Sequence, residues 1–324
     1  MKQKIIALIL SFVFLVGYAP IAVAEEFSTW IDGLIKEAIQ HGVRPQTAYN
    51  ALSVVNFDES VIQKDVKQPE NTITAPEYWK KIVTSQRIQR AKSFYSANSV
   101  LLNQIGDTYG VQPRFIVALL SVESQFGEVQ GSSNIIQSLA SLAYAGRRAE
   151  FFKTELFNAL KIIQSGHVRQ EDMVGSWAGA MGWCQFMPSS FLKYAVDYDG
   201  DGRTDIWSSP VDAAASAANY LHQSGWRSDE TWGRQVRLTT PIAAEYLGRE
   251  VKRPMSEWKN MGIKTMQGKA LPEKKNLEAS LIMPDGMEGT AFLVYNNFDV
   301  IMQWNKSSYF ATSIGMIADK LAGK

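Results

Sequence analysis

The sequence predicts a mainly α-helical protein with a small β-containing insertion near its C-terminus. Apolar residues recur at helical spacing in several stretches between about residue 26 and residue 223, which is typical of amphipathic helices. After Trp232 the pattern changes to short apolar runs separated by Pro and Gly, which is typical of strands. With 324 residues, of which 46% are hydrophobic and 20% charged, the chain is long enough for two or three domains.

Residues 1–24 have the pattern of a secretory signal peptide. A basic start, Met1–Lys4, precedes the apolar run Ile5–Tyr18, and Ala22–Ala24 forms a small-residue cleavage site. A membrane anchor is the weaker alternative, because Pro20 interrupts the run. No cysteine lies near the cut, so the site for a bacterial lipoprotein anchor is missing, and we expect a soluble mature protein.

Charge and cysteine content exclude several classes of function. The chain has 33 Lys and Arg against 32 Asp and Glu, and removing residues 1–24 leaves 31 against 32. This balance argues against binding nucleic acid. The only cysteine is Cys184, so no internal disulfide is expected, and one Cys with three scattered His argues against zinc.

A series of helices is predicted along the chain as far as residue 223. Glu26–His41 is predicted to be an amphipathic helix, and Pro45 is expected to start a second, short helix through about Val55. By contrast, Asn56–Pro76 has no periodicity and is expected to be an extended connector. Gln86–Tyr109 is predicted to be one long helix, closed by Gly110. Further helices are expected at Ile135–Ala143, Arg148–Gln164, Pro188–Val196 and Asp212–Gln223.

The C-terminal part is predicted to hold the strands and one last helix. Four strands are expected, at Val236–Thr240, Leu281–Met283, Ala291–Tyr295 and Val300–Trp304. The pair Asn296-Asn297 is expected to turn a hairpin, and the last helix is expected at Phe310–Leu321.

The stretch Val111–Gly131 contains the most informative acidic residue. Pro113 suits the first turn of a helix, Gly127 is expected to end it, and Glu123 continues an apolar stripe. Burial would raise the pKa of this carboxyl group and keep it protonated near neutral pH, as a general acid requires. The position alone favours a structural glutamate paired with an arginine or capping a turn, but motifs further along the chain reverse that preference.

The segment Asp197–Asp205 matches the start of an EF-hand calcium loop. The oxygen ligands stand at the loop positions that an EF-hand uses, and a glycine stands at the sharp turn. The ligands are Asp197, Asp199, Asp201 and the backbone carbonyl of Arg203. Ser208 replaces the bidentate Glu of position 12, and Asp212 is expected to supply the missing carboxylate. We expect a structural Ca²⁺; the alternative is an Asp/Gly turn held by local hydrogen bonds.

The glycine-rich run Ser176–Ser190 has features of a sugar site. Its glycines allow close approach of backbone to a ligand. Trp177 and Trp183 offer ring faces for sugars, and Ser176 and Gln185 offer hydrogen bonds. Taken alone, such a run is as typical of a tight contact between helices.

Taken together, the motifs closely resemble those of the B-type lytic murein transglycosylases of the bacterial cell wall. They occur in order, as Ser121–Gly127, the Arg147-Arg-Ala-Glu-Phe-Phe run, Gly179–Ser190, the Asp197 loop and Asp212–Tyr220. The resemblance implies a lysozyme-like catalytic core with the calcium loop at 77–226, after an N-terminal helical segment at 25–76. It also implies a small β-containing domain at 227–290 and a final strand and helix at 291–324 that complete the groove.

The resemblance implies cleavage of the β-1,4 bond between N-acetylmuramic acid and N-acetylglucosamine in peptidoglycan. Glu123 would be the only acid and base, and the product would carry a 1,6-anhydromuramic end. This would be a substrate-assisted exception to the two-carboxylate scheme. The implied setting is the periplasm, with glycan strands as partner and a place in complexes with other cell-wall enzymes left open.

Further site residues are implied by matching positions. The side chains expected to line the sugar groove are Tyr78, Ser176, Gln185, Tyr220, Asn305 and Phe310. Trp304 and Phe310 stand where tyrosine is expected, and Cys184 stands where glycine is usual. For the aromatic residues, packing in the core is the alternative.

Three other functions compete with this one. A hydrolytic muramidase would need a second carboxylate near Glu123, and Glu128 is the nearest candidate in sequence. A peptidoglycan-binding protein without activity would keep the groove but would not need Glu123. A calcium-stabilised scaffold that docks other wall enzymes would show no turnover at all.

Overall fold

The computed structural model describes residues 19–67, 73–272, 274 and 276–323. These residues form a mainly helical fold with a small sheet, which confirms the predicted fold class. Most of the predicted signal peptide lies outside the described residues. The helices that precede the larger sheet are α1 (Ala19–Gln40), α2 (Pro45–Leu52), α3 (Glu59–Val66), α4 (Ala75–Ile82), α5 (Ser85–Ala97), α6 (Ser99–Tyr109), α7 (Pro113–Glu123), α8 (Ile135–Ala145), α9 (Ala149–Ser165), α10 (Pro188–Tyr194) and α11 (Pro210–Gln223).

The connector predicted at Asn56–Pro76 is wrong for much of its length, because it contains α3 and the start of α4. Asp58 caps α3 by accepting a hydrogen bond from the Ser60 amide at 2.9 Å. Asp65 of α3 is buried and forms an ion pair with Arg147 at 3.4 Å. This pair fixes α3 beside α8, which precedes Arg147 in the chain.

The single long helix predicted at Gln86–Tyr109 is also wrong, because the chain breaks into α5 and α6 at Asn98. The side-chain amide nitrogen of Asn98 donates to the Phe94 carbonyl at 2.9 Å. Asparagine competes in this way for backbone groups that a continuous helix would use, so it favours helix ends. The apolar spacing continues across the break, which is why periodicity alone did not indicate it.

Helix α7 lies in the middle of the helical body. It packs against α5 and α11, and also against the last helix, α14 (Ser308–Leu321). Its residues from Phe115 to Ser121 are all buried. The helix ends at Glu123, four residues before the predicted stop at Gly127, since Gln125 and Phe126 take left-handed backbone conformations.

The larger sheet has five strands, which are β3 (Gly233–Leu238), β4 (Lys252–Pro254), β5 (Ile263–Thr265), β6 (Glu278–Ile282) and β7 (Ala291–Val294), and α12 (Met255–Asn260) follows β4. Neighbouring strands are antiparallel and lie in the order β4–β6–β7–β3–β5. Along β7, Phe292 and Val294 join the main helical core, while Ala291 and Leu293 join a second core beneath the sheet. The sheet therefore separates the two cores, and alternate residues of β7 serve each.

The strand predicted at Val300–Trp304 and the hairpin at Asn296-Asn297 are wrong, because both lie in helix α13 (Asn296–Trp304). Asn297 is buried and bonds another chain segment: its side chain accepts from the Arg227 amide and donates to the Arg227 carbonyl, each at 2.8 Å. A short apolar run does not distinguish a buried strand from a buried helix. Helix α13 brings Trp304 back to the end of α7.

A two-stranded sheet joins the remaining parts of the helical body. Strand β1 (Ser133–Asn134) pairs antiparallel with β2 (Val174–Gly175), and Ser133 lies opposite Gly175. This pairing holds the glycine-rich run, which starts at Ser176, beside the loop that follows α7.

Candidate active site

Glu123 is the last residue of α7, and its carboxyl group is partly buried. The indole N–H of Trp304 donates to Glu123 Oε1 at 2.7 Å. Burial raises the pKa of Glu123 to about 7, and the hydrogen bond from Trp304 opposes that increase. Among the described residues no Lys, Arg or His forms an ion pair with Glu123, so the prediction of a structural, salt-bridged glutamate has no support here.

The turn after Glu123 is fixed to the glycine-rich run. Ser124 Oγ donates to the Trp183 carbonyl and accepts from the Gly127 amide, each at 2.9 Å. Gly127 has φ +82°, and a Cβ there would lie 2.2 Å from the Trp183 ring. Only glycine fits this close approach, and the contact holds Trp183 against the end of α7.

A cluster of aromatic rings positions Trp304. Its ring lies 4.7 Å from that of Tyr220 and 5.1 Å from that of Phe186, measured between centroids. Tyr220 in turn lies 4.4 Å from the ring of Tyr194. Tyr220 is 8% exposed, and burial raises its pKa to about 12, so it is a neutral phenol packed between the Tyr194 ring and the indole.

Tyr78 lies at another side of the same site. Burial raises the pKa of its hydroxyl, and the nearby Glu123 carboxylate raises it further, while Arg87 lowers it. Its ring lies 5.8 Å from that of Tyr309. The hydroxyl of Tyr309 donates to Asp285 at 2.8 Å. Of the two predicted tyrosines, Tyr78 is therefore near enough to Glu123 to respond to its charge, and Tyr220 contacts Trp304, which donates to the acid.

The polar residues predicted in the glycine-rich run make internal hydrogen bonds. Ser176 Oγ accepts from the Ala180 amide at 2.9 Å. The Gln185 side chain donates to the carbonyls of Gln130 and Gly182, at 3.1 and 2.9 Å. Gln185 has φ +49°, an uncommon conformation for a residue other than glycine. Both residues therefore stabilise the conformation of the run.

The remaining predicted residues differ in exposure. Asn305 is exposed and accepts a hydrogen bond from the Ser307 amide at 3.0 Å. Phe310 is only 3% exposed and lies in the main core. Cys184 is buried, its thiol donates to the Ala213 carbonyl at 3.1 Å, and burial raises its pKa. Its thiol is therefore a neutral packing group, and Phe310 presents no surface to a ligand.

Trp304 is the functional residue that sequence reasoning treated only as a departure from the expected tyrosine. The structure gives it the single hydrogen bond that Glu123 accepts among the described residues. The sequence did contain a signal for this role, because the tyrosine expected at position 304 has a hydroxyl donor and the indole N–H is also a donor.

The acidic loop brings three carboxylates together. Oxygens of Asp197, Asp199 and Asp212 lie within 4.8 Å of one another. Asp212 is 1% exposed, and burial together with its two acidic neighbours raises its pKa. Asp201 accepts from the Arg203 amide at 2.8 Å instead of joining the group. Holding these like charges together is costly unless a cation balances them, so the donor set suits a hard divalent ion.

The part of the chain that the structure describes contains no helix long and apolar enough to cross a membrane. Helix α1 continues across the predicted cleavage position in the uncut chain.

Comparisons with known proteins agree with this geometry. The family model described as "Transglycosylase SLT domain" matches residues 26–319. Membrane-bound lytic murein transglycosylase B of Escherichia coli K12 is 32% identical over 314 residues, covering 92% of this chain and 82% of that protein.

Solved structures of the same kind of enzyme superpose closely. SltB3 of Pseudomonas aeruginosa, in complex with NAG-anhNAM-pentapeptide, is 40% identical with a TM-score of 0.88, covering 92% of this chain and 80% of that one. Escherichia coli Slt35, in complex with calcium, is 30% identical with a TM-score of 0.76, covering 92% and 93%. The predicted resemblance is confirmed: the chain belongs to the SLT-domain lytic transglycosylases, with their lysozyme-like helical core, and acts on peptidoglycan.

Proposed function

We propose that Glu123 is the sole acid and base of a transglycosylase that cleaves the β-1,4 bond between N-acetylmuramic acid and N-acetylglucosamine. One observation carries this proposal: a partly buried carboxyl group, without a cationic partner in the described chain, whose pKa is raised to about 7. A group with a pKa near the working pH can both give and take a proton.

The first step is protonation of the glycosidic oxygen by Glu123. Because Oε1 accepts the Trp304 N–H, the proton to be transferred is assigned to Oε2. The C1–O bond of the muramic residue then breaks, and the N-acetylglucosamine part leaves as an alcohol. The positive charge that develops at C1 is met by the carbonyl oxygen of the substrate's own N-acetyl group.

The second step returns the proton. Glu123, now a carboxylate stabilised by the Trp304 N–H, takes the proton of the C6 hydroxyl of the same sugar. The C6 oxygen attacks C1, displaces the N-acetyl oxygen and closes the 1,6-anhydro ring. No water is consumed, and Glu123 ends protonated for the next cycle. Tyr78 and Tyr220, beside the acid and its donor, are proposed to contact the sugars together with Ser176, Gln185 and Asn305.

A hydrolytic muramidase is the second candidate, and it needs a second carboxylate. Burial and the Trp304 hydrogen bond account for the pKa of Glu123, without a neighbouring carboxylate. Glu128 is 62% exposed at its side chain and forms an ion pair with Arg90. These observations favour the route without water.

Mass spectrometry of muropeptides tests the proposal. Sacculi digested with residues 25–324 are expected to yield 1,6-anhydromuramic ends, lighter by one water than hydrolysed ends, and Glu123→Gln is expected to yield none. Reducing ends would establish a muramidase. Unchanged binding by Glu123→Gln, with no turnover by either protein, would establish a binding protein.

We also infer a structural calcium site in the acidic loop. Asp197, Asp199 and Asp212 would hold the ion through their carboxylates, with Asp201 and the Arg203 carbonyl completing the set after a small adjustment. A bound ion would fix the loop between α10 and α11 and supply no step of the reaction. The calcium complex of Slt35 supports this assignment by similarity.

The proposed setting is the periplasm, reached through a signal peptide at 1–24. The basic start, apolar run and small-residue cleavage site of the sequence support it. N-terminal sequencing of the exported protein is expected to begin at Glu25. The proposed substrate is glycan that still carries stem peptides, because SltB3 was solved with NAG-NAM-pentapeptide.

A further inference from the structure

A positively charged pocket lies beside the proposed active site, between the start of α5 and the end of α7. Its cavity volume is about 250 Å³. We call it the cationic pocket; its lining residues are Lys81, Thr84, Gln86, Arg87, Arg90, Ser121, Gln125 and Phe126. Three of these side chains are cationic and none is acidic, so the cavity favours an anion.

Arg87 is the residue of the cationic pocket whose charge is least compensated. One guanidinium nitrogen donates to the Ile82 carbonyl at 2.7 Å, which holds the side chain in place. The side chain is half-buried, and burial lowers its pKa. No carboxylate of the described chain forms an ion pair with it. A desolvated guanidinium without an anion is unfavourable, and its remaining N–H groups suit a carboxylate.

Arg90 has a different role in the cationic pocket. It forms an ion pair with Glu128 and donates to the side-chain oxygen of Gln125 at 3.2 Å. Its charge is therefore partly neutralised and its position fixed. The nearby Arg90 lowers the pKa of Arg87 further, which shows that the two guanidinium groups are close neighbours. An incoming anion would relieve this repulsion.

The cationic pocket lies near the acid. The Tyr78 hydroxyl is close enough to both the Glu123 carboxylate and the Arg87 guanidinium for each to shift its pKa. Ser121 and Gln125 of the pocket flank Glu123 in the chain. A muramic sugar placed for proton transfer by Glu123 would thus have its substituents within reach of the pocket.

We propose that the cationic pocket binds a carboxylate of the stem peptide carried by the muramic residue whose bond is cleaved, with Arg87 as the principal donor. The inference rests on the proposed function, which places that sugar at Glu123. Peptidoglycan stem peptides are anionic and hang from the muramic residue only, so the pocket would select the correct sugar for the cleaved position and would prefer glycan that still carries peptides.

The test compares two forms of one substrate: glycan strands with stem peptides, and the same strands stripped of peptides by an amidase. Arg87→Gln is expected to lower kcat/KM on peptide-bearing strands about tenfold, which corresponds to roughly 1.4 kcal/mol of lost binding. The loss on stripped strands is expected to be at least about fivefold smaller. Lys92→Gln, exposed on the same helix α5, is the matched control and is expected to behave as wild type.

Two further variants keep the proposal falsifiable if Arg87→Gln is unstable. Arg87→Lys keeps the charge and is expected to recover part of the loss, and Lys81→Gln alters the cationic pocket without removing the Ile82 hydrogen bond. Equal losses on both substrates, or no loss on either, would overturn the peptide assignment.

Binding measurements separate this proposal from the proposed function. In calorimetry, Glu123→Gln is expected to bind a soluble muramyl peptide with higher affinity than the same sugar without peptide. Adding Arg87→Gln to that variant is expected to remove the difference in affinity. Equal competition by inorganic phosphate would overturn the peptide assignment in favour of a general anion site. If the wild type produces no anhydro ends, the proposed function is wrong. If it produces normal anhydro ends and Arg87→Gln changes neither activity nor binding, only this inference is wrong.

Discussion

Trp304 and Glu123 are joined by a hydrogen bond of 2.7 Å from the indole N–H to Oε1. An indole donates and never accepts, whereas a tyrosine hydroxyl can do both. The indole therefore fixes which carboxyl oxygen stays unprotonated and leaves the other to carry the exchangeable proton. It also supports the carboxylate form that the second step requires, within a setting that otherwise favours the neutral acid.

Replacing Trp304 by Phe is expected to shift the pH dependence of turnover. The bond stabilises the charged form of Glu123, so its loss should raise the pKa from about 7 by roughly one unit, the equivalent of about 1.4 kcal/mol. The first step needs the protonated acid. The high-pH decline of kcat/KM should therefore move to higher pH, with a lower maximal rate.

The control for this change is Trp304→Tyr, which restores a donor. Its pH profile is expected to return towards that of the wild type. If both variants have the same pH profile as the wild type, Glu123 does not control the high-pH decline of kcat/KM.

Glu123→Gln is expected to abolish turnover and change how stability depends on pH. The pKa of Glu123 is about 7 in the folded chain, against 4.5 for a glutamate fully surrounded by water. A raised pKa means that the folded chain binds the extra proton, so this stability is fully present below about pH 4.5 and is lost as the pH rises towards about 7. The loss amounts to roughly 3 kcal/mol.

Gln cannot ionise, and its side-chain oxygen still accepts the Trp304 N–H. Glu123→Gln should therefore be more stable than the wild type at about pH 8 and similar to it at about pH 4. Chemical denaturation at the two pH values checks this. If the difference in the free energy of unfolding between Glu123→Gln and the wild type is the same at both pH values, the carboxyl group does not titrate as described.

Calcium is expected to raise the melting temperature of the wild type. Binding to the folded chain alone stabilises it by about 2.7 kcal/mol when the ion is at 100 times its dissociation constant. Asp199→Asn removes one charge from the carboxylate group at an exposed position and should reduce the shift strongly. Asp229 is an exposed residue paired with Lys274, and Asp229→Asn should leave the calcium-dependent shift in melting temperature unchanged. If the shift has the same size in both variants, the ion binds elsewhere.

Gly127→Ala is expected to destabilise the fold and reduce activity together. A Cβ at this position meets the Trp183 ring at 2.2 Å, and the backbone has φ +82°. The two costs should sum to about 3 kcal/mol or more. Gly166→Ala is the matched control, because Gly166 has the same φ of +82° but nothing within 4 Å of its added Cβ.

The difference between these two variants, measured by denaturation, isolates the contact with Trp183. If both variants lose the same free energy, the backbone conformation alone is responsible, and the close contact with the ring has no energetic weight.

Local patterns predicted some parts of the site well. The apolar stripe of α7 indicated the burial of Glu123, because a helix repeats its faces at a fixed spacing. The Asp loop indicated the neighbours Asp197 and Asp199, which lie close in sequence. Both features depend on residues within one turn or one loop.

Features that depend on distant partners were missed. Helix α13 resembled a strand, since its short apolar run suits either structure, and the contacts of Asn297 with Arg227 lie 70 positions apart. The bond between Trp304 and Glu123 spans 181 positions. Phe310 was expected to line the sugar groove, yet its side chain lies in the core, and its position in the sequence gives no sign of that burial.

The separation of 181 positions has a consequence for biosynthesis. When α7 leaves the ribosome, the donor for its acid is still many residues behind. The hydrogen bond can form only after α13 has emerged and docked against the aromatic cluster. An enzyme that cleaves peptidoglycan thus completes its site late, after nearly all of its chain has been delivered.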